Sequence, residues 1–345
     1  AAQRDVIMGR FIARRILWML VVLFAISVVT FALMRLVPGG PFNTERGIPE
    51  AVKRNLERRY NMDAPIVVQY LDYMGGLVIP RVTDPEWKQS QQEHYLINIE
   101  TPFFGAGTAL RWMNFGPSLN SPNRTVTSII EDSLPISFEL GAAALIIALM
   151  IGIPVGTIAA LRQNTIVDYM SMAIAVTGVS IPSIVSAPLL KYIFAVQLKV
   201  LPPNGWGGIE YVILPAFALG FIQSALIARL TRASLLQVLR EDYIRTARAK
   251  GLSERVVISI HALKNSLIPV VTVIGPLAAA LLTGTFVVET IFGIPGLGRS
   301  FVASIGNRDY PLIMGTVLLF ASFVVIGNLL VDIAYAALDP RIRYD

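Results

Sequence analysis

The stretch EDYIRTARAKGLSERVVISIHALKNSLIP, residues 241–269, is the longest charged segment between two apolar runs. Glu241 and Arg245 stand four apart with the acid first, the favourable order for a helical ion pair. Arg245, Arg248 and Lys250 lead into Gly251, and a helix with a basic last turn commonly ends on a left-handed glycine. Past it, Val256, Ile260 and Leu263 recur at helical spacing and predict one apolar stripe. The pattern therefore predicts two short helices broken at Gly251. Neither is long enough to hold alone in water, so both must pack on the rest of the chain or on a partner. A solvated basic loop that holds its side of a membrane by charge has the same composition, and these residues alone leave that reading open.

Outward from this segment the chain is apolar. Its 345 residues are 54% hydrophobic and 15% charged, with a mean hydropathy of +0.61, which implies an all-α polytopic membrane protein. The absence of cysteine excludes a disulfide framework and a thiolate metal site. Membrane-length runs fall at 11–37, 135–161, 169–197, from about 213 into Arg229 and Arg232, 267–291 and 312–338, six in all. Between the first and second, helices are expected at 49–60 and 65–78. The organisation expected is a span with a large extracytoplasmic segment at 1–134, then a membrane core at 135–345.

Charge sets the orientation. Arg10, Arg14 and Arg15 precede the first span, Arg162 lies in the second joint, and Arg341 and Arg343 end the chain. The segment 229–264 carries eight Lys/Arg against three Asp/Glu, whereas the short loops of the other side hold only Lys199, Arg299 and Arg308. Positive-inside placement thus predicts that both termini and the Gly251 segment are cytoplasmic. The net charge of +6 follows from this and does not argue for nucleic acid. Arg35, near the far end of the first span, can snorkel to the interface.

Inside the spans the chemistry is sparse. Gly152, Pro154, Gly156, Pro182, Pro188, Pro215, Gly220, Gly275 and Pro276 predict loosened or kinked helices, as a moving pathway needs. Glu139, Glu289 and Asp332 are isolated acids and form no proton-relay series. GIPGLGRS at 293–300 is one residue from a phosphate-binding loop. It has Arg299 where the lysine belongs, follows a membrane span rather than a strand, and contains Pro295, so nucleotide binding is not expected there.

Ala247, Gly251 and the helix–turn–helix around them resemble the coupling loop of ABC importer permeases, and RTARAKG with HALKNSLIP is similar to the oligopeptide and dipeptide branch. LMRLVPGGPF, ERGIPEAVKRNLERRYNMDAPIVVQYLDYM, NFGPSLNSPNRTVTSIIEDSLP, ETIFGIPGLG and the final ALDPRIRY extend the resemblance over nearly the whole chain. Residues 79–111, with Trp87, Tyr95, Phe103 and Phe104, look like an insertion. Lys264 stands where many permeases of the wider superfamily carry proline, and a basic residue there is similar to one branch of peptide permeases. The resemblance implies the B-type permease subunit of an oligopeptide importer, with a type I importer fold and a prokaryotic plasma-membrane location. It implies coupling to ATPase subunits through 241–264, with Glu241, Arg245, Ala247, Gly251 and Leu263 as contact residues. It implies four kinds of neighbour: a second homologous permease, two cytoplasmic ATP-binding subunits, an extracytoplasmic peptide-binding protein and lipid. ATP and Mg would be bound by the ATPases and no cofactor by this chain, which would not itself be an enzyme. Dipeptide, glutathione or nickel permeases share the scaffold, and a passive channel would not need the loop.

Overall fold

A computed structural model describes residues 2–37, 40–42, 54–55, 57–58, 61–83, 94–100, 108–121, 123–283 and 285–338. The chain divides into two compact units, one of residues 1–16, 136–298 and 323–345, the other of residues 17–135 and 299–322. The long helices are α1 (Ala2–Leu36), α3 (Val126–Leu161), α6 (Ile209–Val238) and α12 (Tyr310–Leu338), each with a run apolar enough to cross a bilayer. Leu17, Leu20 and Phe24 on α1 are exposed, as lipid-facing side chains are.

In the first unit the glycines do something other than loosen helices. α3 runs unbroken through Gly152 and Gly156, and what they provide is closeness to α6. A Cβ on Gly152 would stand 2.7 Å from Ile227 Cβ and 2.8 Å from the Ser224 carbonyl. One on Gly156 would collide with the Ala228 carbonyl and stand 2.7 Å from Thr231 Cβ. Small residues four apart that let two backbones approach are the usual means of packing membrane helices. Gly220 on α6 answers with its own close contact to the Ala144 carbonyl.

The third expected span is two helices, α4 (Ile166–Ser180) and α5 (Ser183–Lys191), the latter continuing as a π-helical turn, Tyr192–Gln197. Ile166–Gly178 and Ser183–Gln197 meet at 98°. The break lies at Ile181–Pro182, because a proline without N–H cannot extend the helix and forces its predecessor into extended backbone, here φ −98°, ψ 113°. The fifth expected span also departs from the hydropathy reading. α9 (Ile268–Thr283) follows the Gly251 segment at a 48° bend. The apolar sequence beyond forms α10 (Phe286–Phe292) and α11 (Leu297–Asn307), each too short to cross alone. Among the described residues four helices are thus long enough to cross a bilayer alone, and up to seven spans result if each bent pair is counted as one.

The second unit holds α2 (Ile66–Val78), which occupies the expected 65–78 helix. Three antiparallel strands, β1 (Arg81–Thr83), β2 (Tyr95–Glu100) and β3 (Ala109–Asn114), pair in the order β1–β3–β2. Residues 81–114 therefore contain a small sheet that a purely helical expectation misses; Tyr95 opposite Asn114 and Arg81 opposite Arg111 fix its register. Tyr95 is buried, and the Trp112 indole donates to the Val78 carbonyl at 2.9 Å. Trp87, Phe103, Phe104 and most of the expected 49–60 helix lie outside the described residues. Asp309, buried before α12, accepts hydrogen bonds from Ser118 Oγ, Leu119 N and Leu312 N, tying the loop ahead of α3 to the start of α12.

Candidate coupling site

The charged segment after α6 forms α7 (Asp242–Ala249) and α8 (Glu254–Ser266), the first of these with Ile244 and Ala247 as its buried residues. Gly251 between them has φ +77°, in the left-handed region. Gly251 N donates to the Arg248 carbonyl at 2.9 Å and Leu252 N to the Ala247 carbonyl at 3.4 Å, the paired bonds of a Schellman ending. No atom lies within 4 Å of where a Gly251 Cβ would be, so the glycine is required by backbone conformation, not by crowding.

Arg248 clasps Glu254 across this turn with two hydrogen bonds, Nη2 to Oε1 at 2.7 Å and Nε to Oε2 at 3.2 Å. That fork-to-carboxylate contact holds the Glu254 carboxyl below its ordinary range, against a smaller opposing effect of burial. Because the carboxylate is favoured in the folded state, the clasp is intact at neutral pH and is lost only as pH falls through the lowered value. The Glu241–Arg245 pair expected from spacing is not made. Glu241 is the N-cap, with ψ 147°, which carries its side chain off the helical face, and Arg245 reaches Asp242 instead, at 3.5 Å on an exposed surface.

The stripe on α8 is also displaced. Residues 257–262 wind as a π-helix, so the face that packs inward is Val257, Ala262 and Ser266, while Ile260 is 59% exposed. The wider turn adds a residue per loop and rotates the face away from the one that α-spacing gives to Val256, Ile260 and Leu263. Ile244, Ala247, Val257 and Ala262 form one cluster with Ala160 at the end of α3 and Leu235 at the end of α6. Ala247 therefore faces its own chain, at 7% exposure, rather than outward. Glu241, Arg245 and Gly251 are exposed and Leu263 is half-buried. Tyr243, Leu252 and Ile260 present apolar surface beside them.

A second device lies one turn before that cluster. Arg232 of α6 forks onto Asp168 of α4, Nε to Oδ1 and Nη2 to Oδ2 both at 2.7 Å, and Asn164 N donates to the same carboxylate at 3.0 Å. Asp168 is 1% exposed. Sequence reading passed over this pair because its members are 64 residues apart and neither sits mid-span; the signal available was an acid in the first turn of a membrane helix.

GIPGLGRS forms a turn packed against Glu289. Gly293 ends α10 in the left-handed region at φ +64°. Gly296 lies against the carboxylate of Glu289, where a Cβ would collide with it. That carboxylate is fully buried, accepting from Ser137 Oγ and Thr285 Oγ1 at 2.7 Å each, and Ser137 Oγ accepts from Leu297 N at 2.8 Å. The turn is thus already packed against a fixed acidic side chain. Among the described residues no cluster of His, Asp and Glu could hold a metal ion.

Known proteins resemble this chain along its length. Residues 152–344 match the family described as binding-protein-dependent transport system inner membrane component, and residues 8–141 match the N-terminal model of the same transport systems. The dipeptide transport system permease protein DppB of Bacillus subtilis is 43% identical, over 97% of this chain and 98% of its own. The oligopeptide transport system permease protein OppB of Salmonella typhimurium is 42% identical, over 98% of this chain and 100% of its own. Among solved structures, the MetNI methionine ABC transporter in an inward-facing form superposes with a TM-score of 0.51 at 18% identity, covering 61% of this chain and 97% of that one. An amino acid ABC transporter superposes with a TM-score of 0.50 at 16% identity. An architecture of several apolar helices, a helix pair closed on a left-handed glycine, and family matches over both halves agree: the chain belongs to the binding-protein-dependent transport system inner membrane component family and has the type I ABC importer permease fold.

Proposed function

We propose that the chain is the B-type permease subunit of an oligopeptide importer, forming half of the translocation pathway and coupled to ATPase subunits through the Gly251 segment. The observation that carries this reading is the seating of α7 and α8. Their inner face is fixed to the ends of α3 and α6 by the Leu235–Ile244–Val257 cluster, while Tyr243, Leu252 and Ile260 remain outward. A partner pressing on that outward face would move two membrane helices with it. The full-length likeness to peptide permeases supports peptide as cargo. Dipeptides stand beside oligopeptides, since the DppB and OppB relatives match almost equally. The assembly proposed adds a second homologous permease, two ATP-binding subunits that carry ATP and Mg, and a peptide-binding protein on the side of the strand-containing segment. Hydrolysis belongs to those subunits, and both termini lie in the cytoplasm.

Gly251→Val tests the coupling. A β-branched side chain at φ +77° costs roughly 1 kcal/mol or more, too little to unfold the membrane core but enough to change the angle between α7 and α8. The complex should assemble and copurify with its ATPases, while peptide uptake and the stimulation of hydrolysis by loaded binding protein are lost. Normal uptake by the variant would reduce the segment to a charged anchor.

A further inference from the structure

The second unit contains a cavity of about 250 Å³ that the transport reading does not use, lined by Phe31, Met34 and Arg35 of α1, Tyr73 of α2, Phe115 and Tyr310 among others. Arg35 does not snorkel out, as the sequence suggests. Its guanidinium stands 5.3 Å from the ring centres of both Phe31 and Tyr310 and donates through Nη2 to Gln69 Oε1. Its Nε is buried without a hydrogen-bond partner, and so is the Tyr73 hydroxyl. Among the described residues Arg35 pairs with no carboxylate. Asp72, the acid in the lining, instead accepts from Asn61 Nδ2 at 3.0 Å. A cation held in place, with a donor of its own and a phenol both unsatisfied, is a site arranged for an anion.

The surroundings say which anion. α2 does not stand clear of the apolar zone. Its Tyr70 hydroxyl meets Ser27 Oγ at 2.7 Å and its ring packs edge-on to Phe31. Ser27 is nine residues inside the end of the Ile12–Leu36 apolar run, about 14 Å at the helical rise. α2 therefore lies alongside the last turns of a membrane span, and Val67, Leu71 and Val78 of α2 are exposed, as are Leu33 and Leu36 of α1. A charged cavity opening beside lipid-facing helices suits a group that is anionic at one end and hydrocarbon at the other. The volume falls below the roughly 300–1,000 Å³ of pockets that enclose a whole small-molecule ligand, so it admits a headgroup and not a peptide.

We propose that this cavity binds the phosphodiester of a membrane phospholipid, with Arg35 and Tyr73 donating to its oxygens and the acyl chains lying along α1 and α2. The test uses the complete transporter purified with its partners, washed in detergent and weighed by native mass spectrometry. The wild type should keep one phospholipid that washing does not remove. Arg35→Met should lower its occupancy about tenfold or more, the loss expected of a charged hydrogen-bonding group. Tyr73→Phe, which keeps the ring and removes one hydroxyl, should lower it severalfold, and decides the matter if Arg35→Met fails to assemble. Delipidated complex titrated with phosphatidylglycerol should regain one molecule per chain, undisplaced by inorganic phosphate or by a transported peptide. Equal occupancy in wild type and Tyr73→Phe would overturn the proposal. Displacement by inorganic phosphate would make this a free-anion site, and displacement by peptide a substrate subsite; either result would overturn it as well.

Discussion

At the residue scale, the Asp168–Arg232 fork carries the clearest energetic consequence. Removing one partner of a buried ion pair costs about 3–5 kcal/mol, chiefly for the charge left behind. Here the partners differ: Arg232 keeps 27% of its side chain exposed and Asp168 keeps 1%. Arg232→Met therefore leaves a covered carboxylate with only the Asn164 N–H as donor and should cost the more of the two, below that range because the site lies at the helix end among exposed residues. Asp168→Asn leaves a cation that can turn to solvent and should cost less. The double variant should recover part of the loss of Arg232→Met. Thermal denaturation of the purified complex checks the order, and equal effects of the two single changes would mean the pair is not desolvated. Gly251 was legible in sequence because helix termination is a local event. Arg232 with Asp168 was not, because contacts between distant residues leave no periodic trace.

Elements were read correctly where hydropathy and length coincide, as in α1, α3 and α12, and less well where backbone geometry changes within an apolar run. The break expected at Pro182 is where α4 ends, whereas hydropathy carries no mark of the π-helical stretch that exposes Ile260 and buries Val257. The glycines of α3 show the same limit: composition reveals that Cβ is missing, and only packing reveals that Ser224, Ile227, Ala228 and Thr231 fill the space. Gly156→Leu should force α3 and α6 apart at a cost of roughly 1–3 kcal/mol, the usual range for overpacking. The purified complex should then melt at a lower temperature. Gly306→Ala, at a position with no atom near the added carbon, is the control and should leave melting unchanged.

For the whole molecule, orientation follows from charge and can be read chemically. Ser118, buried in its bond to Asp309, is a poor position for a label despite its place in the first long loop. Asn98 on β2 and Ser253 before α8 are both exposed. In this cysteine-free chain a membrane-impermeant thiol reagent should label Asn98→Cys in intact cells and Ser253→Cys only after the membrane is opened. Labelling of Ser253→Cys in intact cells would invert the proposed topology and overturn the proposed coupling. The apolar helices of the membrane part were legible because hydropathy reads many residues together. The strands within 79–111 were not, since short strands carry too little pattern to separate from loop.

The π-helical turn of α8 also bears on chain length. Residues 257–262 hold one more residue than an α-helical path between the same ends requires, and the surplus lies where Ser259 and Ile260 face outward. Val257 and Ala262, five apart, share a buried face only because the turn is wide. Excising Ser259 would make them four apart, and ordinary α-geometry would return both to one face. The inner contact with Leu235 and Ala160 therefore tolerates a single-residue deletion, while the outward side chains between Val257 and Ala262 change their bearing. A one-residue deletion here can thus vary the outward surface of α8 while the helix stays fixed to the membrane core.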